Sequence, residues 1–231
     1  LITSILAAIA AVGSFSHRVT DPREIVTASV YDLAGRQTLL TEDSGGALER
    51  QTAFAYNRLS QLTSQTAQNK SSTGSSLAAQ ATHFRYDSLG RLLRTIYPDS
   101  AANPDSPTCT DCVTLAYDFA GRMTSRTDQR GQVTTMAYDR RSLLLTRTTD
   151  VAGTPDPKDT FGYDALGRLT SADRGNTVSA TATSHATYAY NDLGDRTAET
   201  LQIAGGTART TAYDHDQAGN RTALTYPGGS T

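Results

Sequence analysis

Phe84-Arg85-Tyr86-Asp87-Ser88-Leu89-Gly90-Arg91-Leu92 is the stretch that decides how the rest of the chain is read, because it recurs, worn but recognisable, eight times. The anchors are Tyr31, Tyr56, Tyr86, Tyr117, Tyr138, Tyr163, Tyr190 and, with the ring exchanged, His215. Each is followed by Asp or Asn: Asp32, Asn57, Asp87, Asp118, Asp139, Asp164, Asn191 and Asp216. Four residues after the anchor stands Gly35, Gly90, Gly121, Gly167, Gly194 or Gly219, with Ser60 and Ser142 as exceptions. Two before it comes a large apolar or aromatic residue, from Phe54 to Tyr213, with Ser29 the only departure.

This spacing predicts a β-hairpin in every unit. The apolar residue and the tyrosine are two apart, so on a strand they share a face. The Asp opens a turn, since its short carboxylate can accept a backbone hydrogen bond from two residues on, and the Gly suits the left-handed position of a bulged hairpin loop. A serine at that position carries roughly 1 kcal/mol of strain, so the turns at Ser60 and Ser142 are expected to be looser. After the turn, Leu62, Leu92, Met123, Leu144 and Leu169 restart a strand, usually beside a Thr. Anchor spacings of 25, 30, 31, 21, 25, 27 and 25 residues mark a repeat architecture, which behaves as a row of neighbours.

The unit is clearest as Tyr163-Asp164-Ala165-Leu166-Gly167-Arg168-Leu169-Thr170, and in this form it resembles the YD repeat of the Rhs family. That family includes bacterial Rhs and wall-associated polymorphic toxins, the B and C components of Tc toxins, and the teneurins. The resemblance runs from about residue 18 to about residue 226. It implies hairpins that wind into a spiralling single-layer sheet, part of a hollow shell that in the toxin members sequesters a C-terminal toxin domain. It also implies a bacterial protein that is secreted or held at the cell surface, and a longer chain of which this is a segment.

Composition agrees with an all-β array. Hydrophobic residues make up 37% of the 231, with no Trp, which is modest for a compact two-layer domain but sufficient for a sheet with one wet face. Twenty-one basic residues against 23 acidic leave a net charge of -2, without the basic face that nucleic-acid binding needs. Leu1 to Val12 is apolar but shorter than the roughly 20 residues that span a bilayer, so no stable membrane span is expected. Residues 1–16 are read as a lead-in, either a truncated signal peptide with Ala8-Ile9-Ala10 as a cleavage-like site or an unrelated segment, and residues 17–231 as the array. The lead-in is the one place where a short helix is expected. Neither end shows a capping element, so raw sheet edges and self-association are expected.

Between hairpins, Arg18 to Arg23 and Thr127 to Gln132 share a T-D-x-x-x or T-D-x-x-G pattern that suits a crossing turn capped by its Asp. Ala67 to Gln80, rich in Ser, reads as an extended flexible loop. Tyr97 to Val113 holds Pro98, Pro104, Pro107 and both cysteines, Cys109 and Cys112. A C-x-x-C pair gives half a zinc site, a redox dithiol, a local disulfide or two free thiols. No further Cys remains, the histidines are scattered, and no βαβ pattern surrounds the motif, so a structural pair is preferred. Tyr138 to Leu145 is the most degraded unit, lacking both the Gly and the Arg after it. Val151 to Lys158 reads as a Pro-Gly turn, and Ser171 to His185 as a Ser/Thr/Ala-rich stretch. Asp214, Asp216 and Gly219 match three positions of a calcium loop, but Ala218 and Thr225 stand where ligands belong, so it is read as a repeat turn.

No catalytic, cofactor or metal site is expected. G-x-S-x-G, a Cys with a partnered His, and G-x-x-x-x-G-K are all missing from the sequence, and the acids fall at turn positions. The arginines after the turns, Arg36, Arg91, Arg122 and Arg168, are read first as partners of Asp or as edge charges, and alternatively as a row facing an anionic glycan. Tyrosines stacked one per hairpin form a packing ladder. Two functions follow: a non-enzymatic shell segment whose partners are the rest of an Rhs-type chain and its toxin domain, or a cell-surface adhesion or carbohydrate-binding module.

Overall fold

The computed structural model describes residues 3–7, 14–71, 73–104, 106, 109–151, 156–176 and 183–229. The cleavage-like Ala8-Ile9-Ala10, Pro107, the centre of the Val151–Lys158 turn and the middle of the Ser171–His185 stretch lie outside them. The chain divides into two units, Leu1–Thr114 and Leu115–Thr231.

The first unit contains β1 (Thr3–Ala7), β2 (Ser14–Thr20), β3 (Val26–Asp32), β4 (Gln37–Glu42), β5 (Arg50–Tyr56), β6 (Leu62–Asn69), β7 (Gln80–Tyr86) and β8 (Leu92–Ile96), and the division falls within β9 (Val113–Tyr117). The second contains β10 (Met123–Thr127), β11 (Val133–Tyr138), β12 (Leu144–Thr149), β13 (Pro157–Tyr163), β14 (Leu169–Asn176), β15 (Ser184–Tyr190), β16 (Arg196–Ile203), β17 (Arg209–His215) and β18 (Arg221–Thr225). Within each unit strands pair antiparallel with their neighbours in chain order. This is the all-β array of hairpins that the spacing predicts, and among the described residues no helix is long and apolar enough to cross a membrane.

The hairpin register departs from a plain ladder at one recurring place. Tyr163 faces Leu169 while Gly162 faces Ser171, so Thr170 is the extra residue of a bulge. The same irregularity precedes Tyr31, Tyr56, Tyr86, Tyr138, Tyr190 and His215. The residue left over is Thr38, Thr63, Thr197 or Thr222 in four of these. The motif's Thr therefore marks a bulge, which increases local twist and re-aims the adjacent tyrosine.

Three sequence expectations are corrected. Thr3–Ala7 forms a strand antiparallel to β2, with Thr3 opposite Thr20 and Ala7 opposite Ser16, instead of a helix. An unpaired strand edge offers a row of backbone donors and acceptors, and a segment carrying Thr3 and Ile5 suits pairing there better than an isolated short helix. The Ala67–Gln80 stretch is less extended than its composition suggests: Ala67 to Asn69 belong to β6, Lys70 bridges Ser76, and the Ser71 amide donates to the Ser75 carbonyl. The turns at Ser60 and Ser142 are not loose. Both residues take the left-handed conformation, φ 61° and 68°, and close the same hydrogen bonds as glycine-bearing turns, because the flanking ladder over-determines them.

Most strand residues are half-buried, as a sheet without a second covering layer requires. The best-buried apolar group among the described residues, Ile96, Cys112 and Val113, lies where the Pro-rich segment folds back on β7 and β8. Arg85 Nε donates to the Pro104 carbonyl at 2.8 Å and Arg94 Nη1 to the Ser106 carbonyl at 2.7 Å. Cys109 and Cys112, 6.0 Å apart at Cα, are joined as a disulfide within that segment.

Candidate functional site: the repeated turn and its clamp

Each hairpin turn is built by its Asp or Asn. In the first, the Asp32 amide donates to the Arg36 carbonyl and the Gly35 amide to the Asp32 carbonyl, both at 2.9 Å. Oδ1 of Asp32 accepts the amides of Ala34 at 2.9 Å and Arg36 at 3.0 Å, while Oδ2 accepts Nε of Arg36 at 2.7 Å. Gly35, with φ 77°, sits where an L side chain is strained. Asp87, Asp118 and Asp164 repeat the arrangement with Arg91, Arg122 and Arg168, their Nε–Oδ2 distances lying between 2.6 and 2.7 Å. Asn57 keeps the backbone bonds and holds Gln61 through its amide at 2.7 Å, and Asn191 does likewise with Asp195 at 3.0 Å. Asp216 accepts the amides of Ala218 and Asn220 in the eighth turn, which is what its three apparent calcium-loop matches amount to.

The crossing turns at the opposite ends of the strands use the same device. Asp21 accepts the amides of Arg23 and Ile25, and Asp128 those of Arg130 and Gln132, at 2.8–2.9 Å.

Electrostatics follow from this geometry. The Arg36 guanidinium, with the backbone amides behind it, holds Asp32 below the ordinary aspartate value of 3.8. For Asp118 the Arg122 amide leads and its guanidinium adds to it. At Asp87 and Asp164 partial burial pushes upward, but the bonds from Arg91 and Arg168 outweigh it, so both carboxyls are also lowered.

The arginine then reaches the next hairpin. Arg36 Nη1 donates to the Asn57 carbonyl at 3.0 Å, Arg122 Nη1 to the Asp139 carbonyl at 2.7 Å, and Arg168 Nη1 to the Asn191 carbonyl at 3.2 Å. The same three guanidiniums lie over the next anchor rings, Tyr56, Tyr138 and Tyr190, at 4.9, 5.0 and 4.7 Å from the centroids, within cation–π range. Each phenol answers in the other direction. Tyr56 donates to the Gln37 carbonyl, Tyr86 to Leu62, Tyr138 to Met123, Tyr163 to Leu144 and Tyr190 to Leu169, at 2.8–2.9 Å. Burial raises the phenols of Tyr86 and Tyr163 above their usual range. Asp, Arg and the next Tyr thus form a clamp between adjacent hairpins.

Sequence reasoning placed the anchors but missed this reach. The degraded unit lacks its arginine as read, Leu143 occupying that position, and Arg141, two residues earlier, bonds Asp139 Oδ2 at 3.0 Å and the Asp164 carbonyl at 2.9 Å instead. Gln61 substitutes elsewhere, donating to the Gly90 carbonyl at 3.0 Å. Arg141 was visible only as a displaced cation in a turn lacking its usual one. The arginines read as candidates for an anionic glycan are, at Arg36, Arg122 and Arg168, engaged in the clamp. Among the described residues no cluster of three or more His, Cys, Asp or Glu could hold a metal ion.

Residues 117–155 match the RHS Repeat family model, and no curated protein sequence matches. A crystal structure of TcdB2-TccC3-TEV is similar over 97% of this chain and 14% of its own, at 14% identity and a TM-score of 0.50. At that identity the likeness speaks for the fold. A crystal structure of TcdB2-TccC3-Cdc42 has a TM-score of 0.38 at 13% identity over 96% of this chain and 15% of its own. A porin-like protein from Bacteroides uniformis ATCC 8492 has a TM-score of 0.33 at 12% identity, covering 94% of this chain and 60% of its own. The resemblance to the Rhs, or YD-repeat, family therefore stands: residues 117–155 carry an RHS repeat, and the other hairpins are built on the same turn.

Proposed function

We propose that this chain is a structural wall segment of an Rhs-type protein, residues 17–231 forming the array, which helps to enclose or present a C-terminal toxin domain carried on a longer chain. The clamp carries the reading: the acids, guanidiniums and phenols that the motif repeats are used in holding hairpins side by side, which supports a structural role. Such a protein works outside the cytoplasm, secreted or at a bacterial cell surface, where a local disulfide such as Cys109–Cys112 persists. The test is limited proteolysis of the intact parent protein. Its C-terminal domain should resist cleavage, and lose that resistance when Arg122 and Arg168 are both replaced by Leu; equal cleavage with an intact array would refute enclosure.

A second reading, adhesion or carbohydrate binding at the cell surface, is favoured by the apolar residues exposed at hairpin tips: Leu33, Leu59 and Leu89 in one unit, Phe119, Leu166 and Leu193 in the other. Glycan binding by the array that disappears on replacing Phe119 and Leu166 with Ser would shift preference to it.

A further inference from the structure

The strands of the first unit end in two apolar rows that its own packing leaves uncovered. At the tips of three consecutive hairpins stand Leu33, Leu59 and Leu89, which are 83, 71 and 75% exposed. Leu33 lies one residue nearer its anchor than the other two. At the crossing turns, on the opposite ends of the same strands, stand Ile25, Leu48 and Leu77, also exposed. These three line a groove of about 610 Å³, together with the charged Glu42, Asp43, Arg50 and Lys70. Both rows lie within the Leu1–Thr114 unit.

Neither row is carried on loose backbone. The Leu59 amide donates to Asn57 Oδ1 and the Leu89 amide to Asp87 Oδ1, both at 2.9 Å, so little desolvation cost attaches to covering these tips. The tip carboxylates Asp32 and Asp87 are paired with Arg36 and Arg91, each at 2.6 Å. In the groove the Ile25 amide donates to Asp21 Oδ1 at 2.9 Å, the Leu48 amide to Asp43 Oδ2 at 3.2 Å and the Leu77 amide to the Asn69 carbonyl at 2.8 Å. The cations there already face acids of the same edge, Lys70 with Glu49 at 3.3 Å and Arg50 with Glu42 at 3.9 Å. The groove therefore offers aliphatic surface rather than a cation for an anionic ligand.

We propose that the two rows fit each other: the leucine tips of one chain seat in the crossing-turn groove of a second copy, joining the arrays edge to edge. The period of the ladder makes the match. One hairpin is two strands at about 4.8 Å each, so equivalent side chains along either edge stand about 10 Å apart. Tip leucines at that interval do not touch one another, since apolar contact needs about 4.5 Å; each is a separate knob that needs its own hole. Two edges of one ladder share its period and its twist. The crossing-turn edge of a second copy therefore presents apolar holes at the interval of the knobs over three hairpins.

Because tips and groove lie on opposite edges, the contact is heterologous. Each pair leaves one tip row and one groove free, and assembly continues copy by copy unless a rotation closes it. Such a contact extends the array along its strands, whereas pairing at an outer strand edge extends it across them. It gives the tip leucines a use that requires no glycan, and it holds whether or not the array encloses a toxin domain.

The test is sedimentation velocity of the whole chain over a loading series from about 1 to about 100 μM, a span that covers contacts of micromolar strength. The mean sedimentation coefficient should rise through the series and pass that of a dimer. Leu59→Ser with Leu89→Ser removes tips and keeps the groove; Leu48→Ser with Leu77→Ser does the reverse. Each double variant should weaken association about a hundredfold, about tenfold for each leucine lost from the contact, and sediment as a monomer. All four leucines are exposed, and unchanged circular dichroism shows that both variants are folded. Mixed in equal amounts, the two variants should pair again and stop at two chains, since each retains one half of the contact. Four results overturn the proposal: a wild-type chain that stays monomeric, a groove variant that still associates by its tips, association that both variants keep through their strand edges, and a mixture that stays monomeric.

Discussion

Replacing Arg168 by Leu removes one clamp while keeping most of its apolar stem, so its cost follows from two interactions of the guanidinium. The Arg168 side chain is about one-quarter exposed, 28%, and the bond from its guanidinium to the Asn191 carbonyl at 3.2 Å contributes about 1 kcal/mol net. Its position 4.7 Å over Tyr190 adds about 0.5–1 kcal/mol. With no energy assigned to the ion pair with Asp164, the variant should lose about 1.5–2 kcal/mol of unfolding free energy. Urea unfolding of the array measures it, and a double-mutant cycle with Tyr190→Leu should return a coupling of about 0.5–1 kcal/mol. Arg140→Leu, exposed at another tip, is the control and should stay within about 0.5 kcal/mol of wild type. A loss at Arg168 no larger than the control's, or a coupling indistinguishable from zero, would refute the idea that the motif's arginine fastens one hairpin to the next.

Ser142, at φ 68°, should gain about 0.5 kcal/mol on replacement by Gly, because relief of left-handed strain exceeds the entropy that glycine adds to the unfolded chain. The mirror experiment is Gly121→Ala: a Cβ there meets nothing within 4 Å, so thermal unfolding should report a loss of about 0.5–1 kcal/mol from backbone strain alone. Acid should spare the turns until late. Asp32, Asp87, Asp118 and Asp164 are held below the ordinary value of 3.8, so their contribution is complete above that value and lost as pH falls through the lowered folded values. Circular dichroism should show unfolding below about pH 3.8, and the Asp164→Asn variant should show a weaker dependence. Arg141→Gln should raise hydrogen exchange at the β12–β13 pairs by about fivefold, the equivalent of about one hydrogen bond, although the consensus assigns that position no role; unchanged exchange would argue against the substitution of Arg141 for the missing arginine.

The Tyr-Asp-x-x-Gly spacing was enough to place the hairpins, because everything it encodes is local. An Asp that bonds the amides two and four residues on, a residue able to take positive φ, and apolar residues two apart on a strand act within a single turn, and each is read from its own neighbourhood. Even the anchor shared by Tyr86 and Tyr163 needed no partner to be recognised. What the tertiary structure decided is where the leftover groups go. The bulge at Thr170, the reach of Arg168 to the Asn191 carbonyl and the phenol of Tyr190 returning to Leu169 each join residues of different strands or different hairpins. Arg141 could be seen to replace a missing arginine only once the neighbouring turn lay beside it. Side-chain reach across a ladder depends on register, and register is fixed by pairing between strands; the sequence of one strand does not contain it.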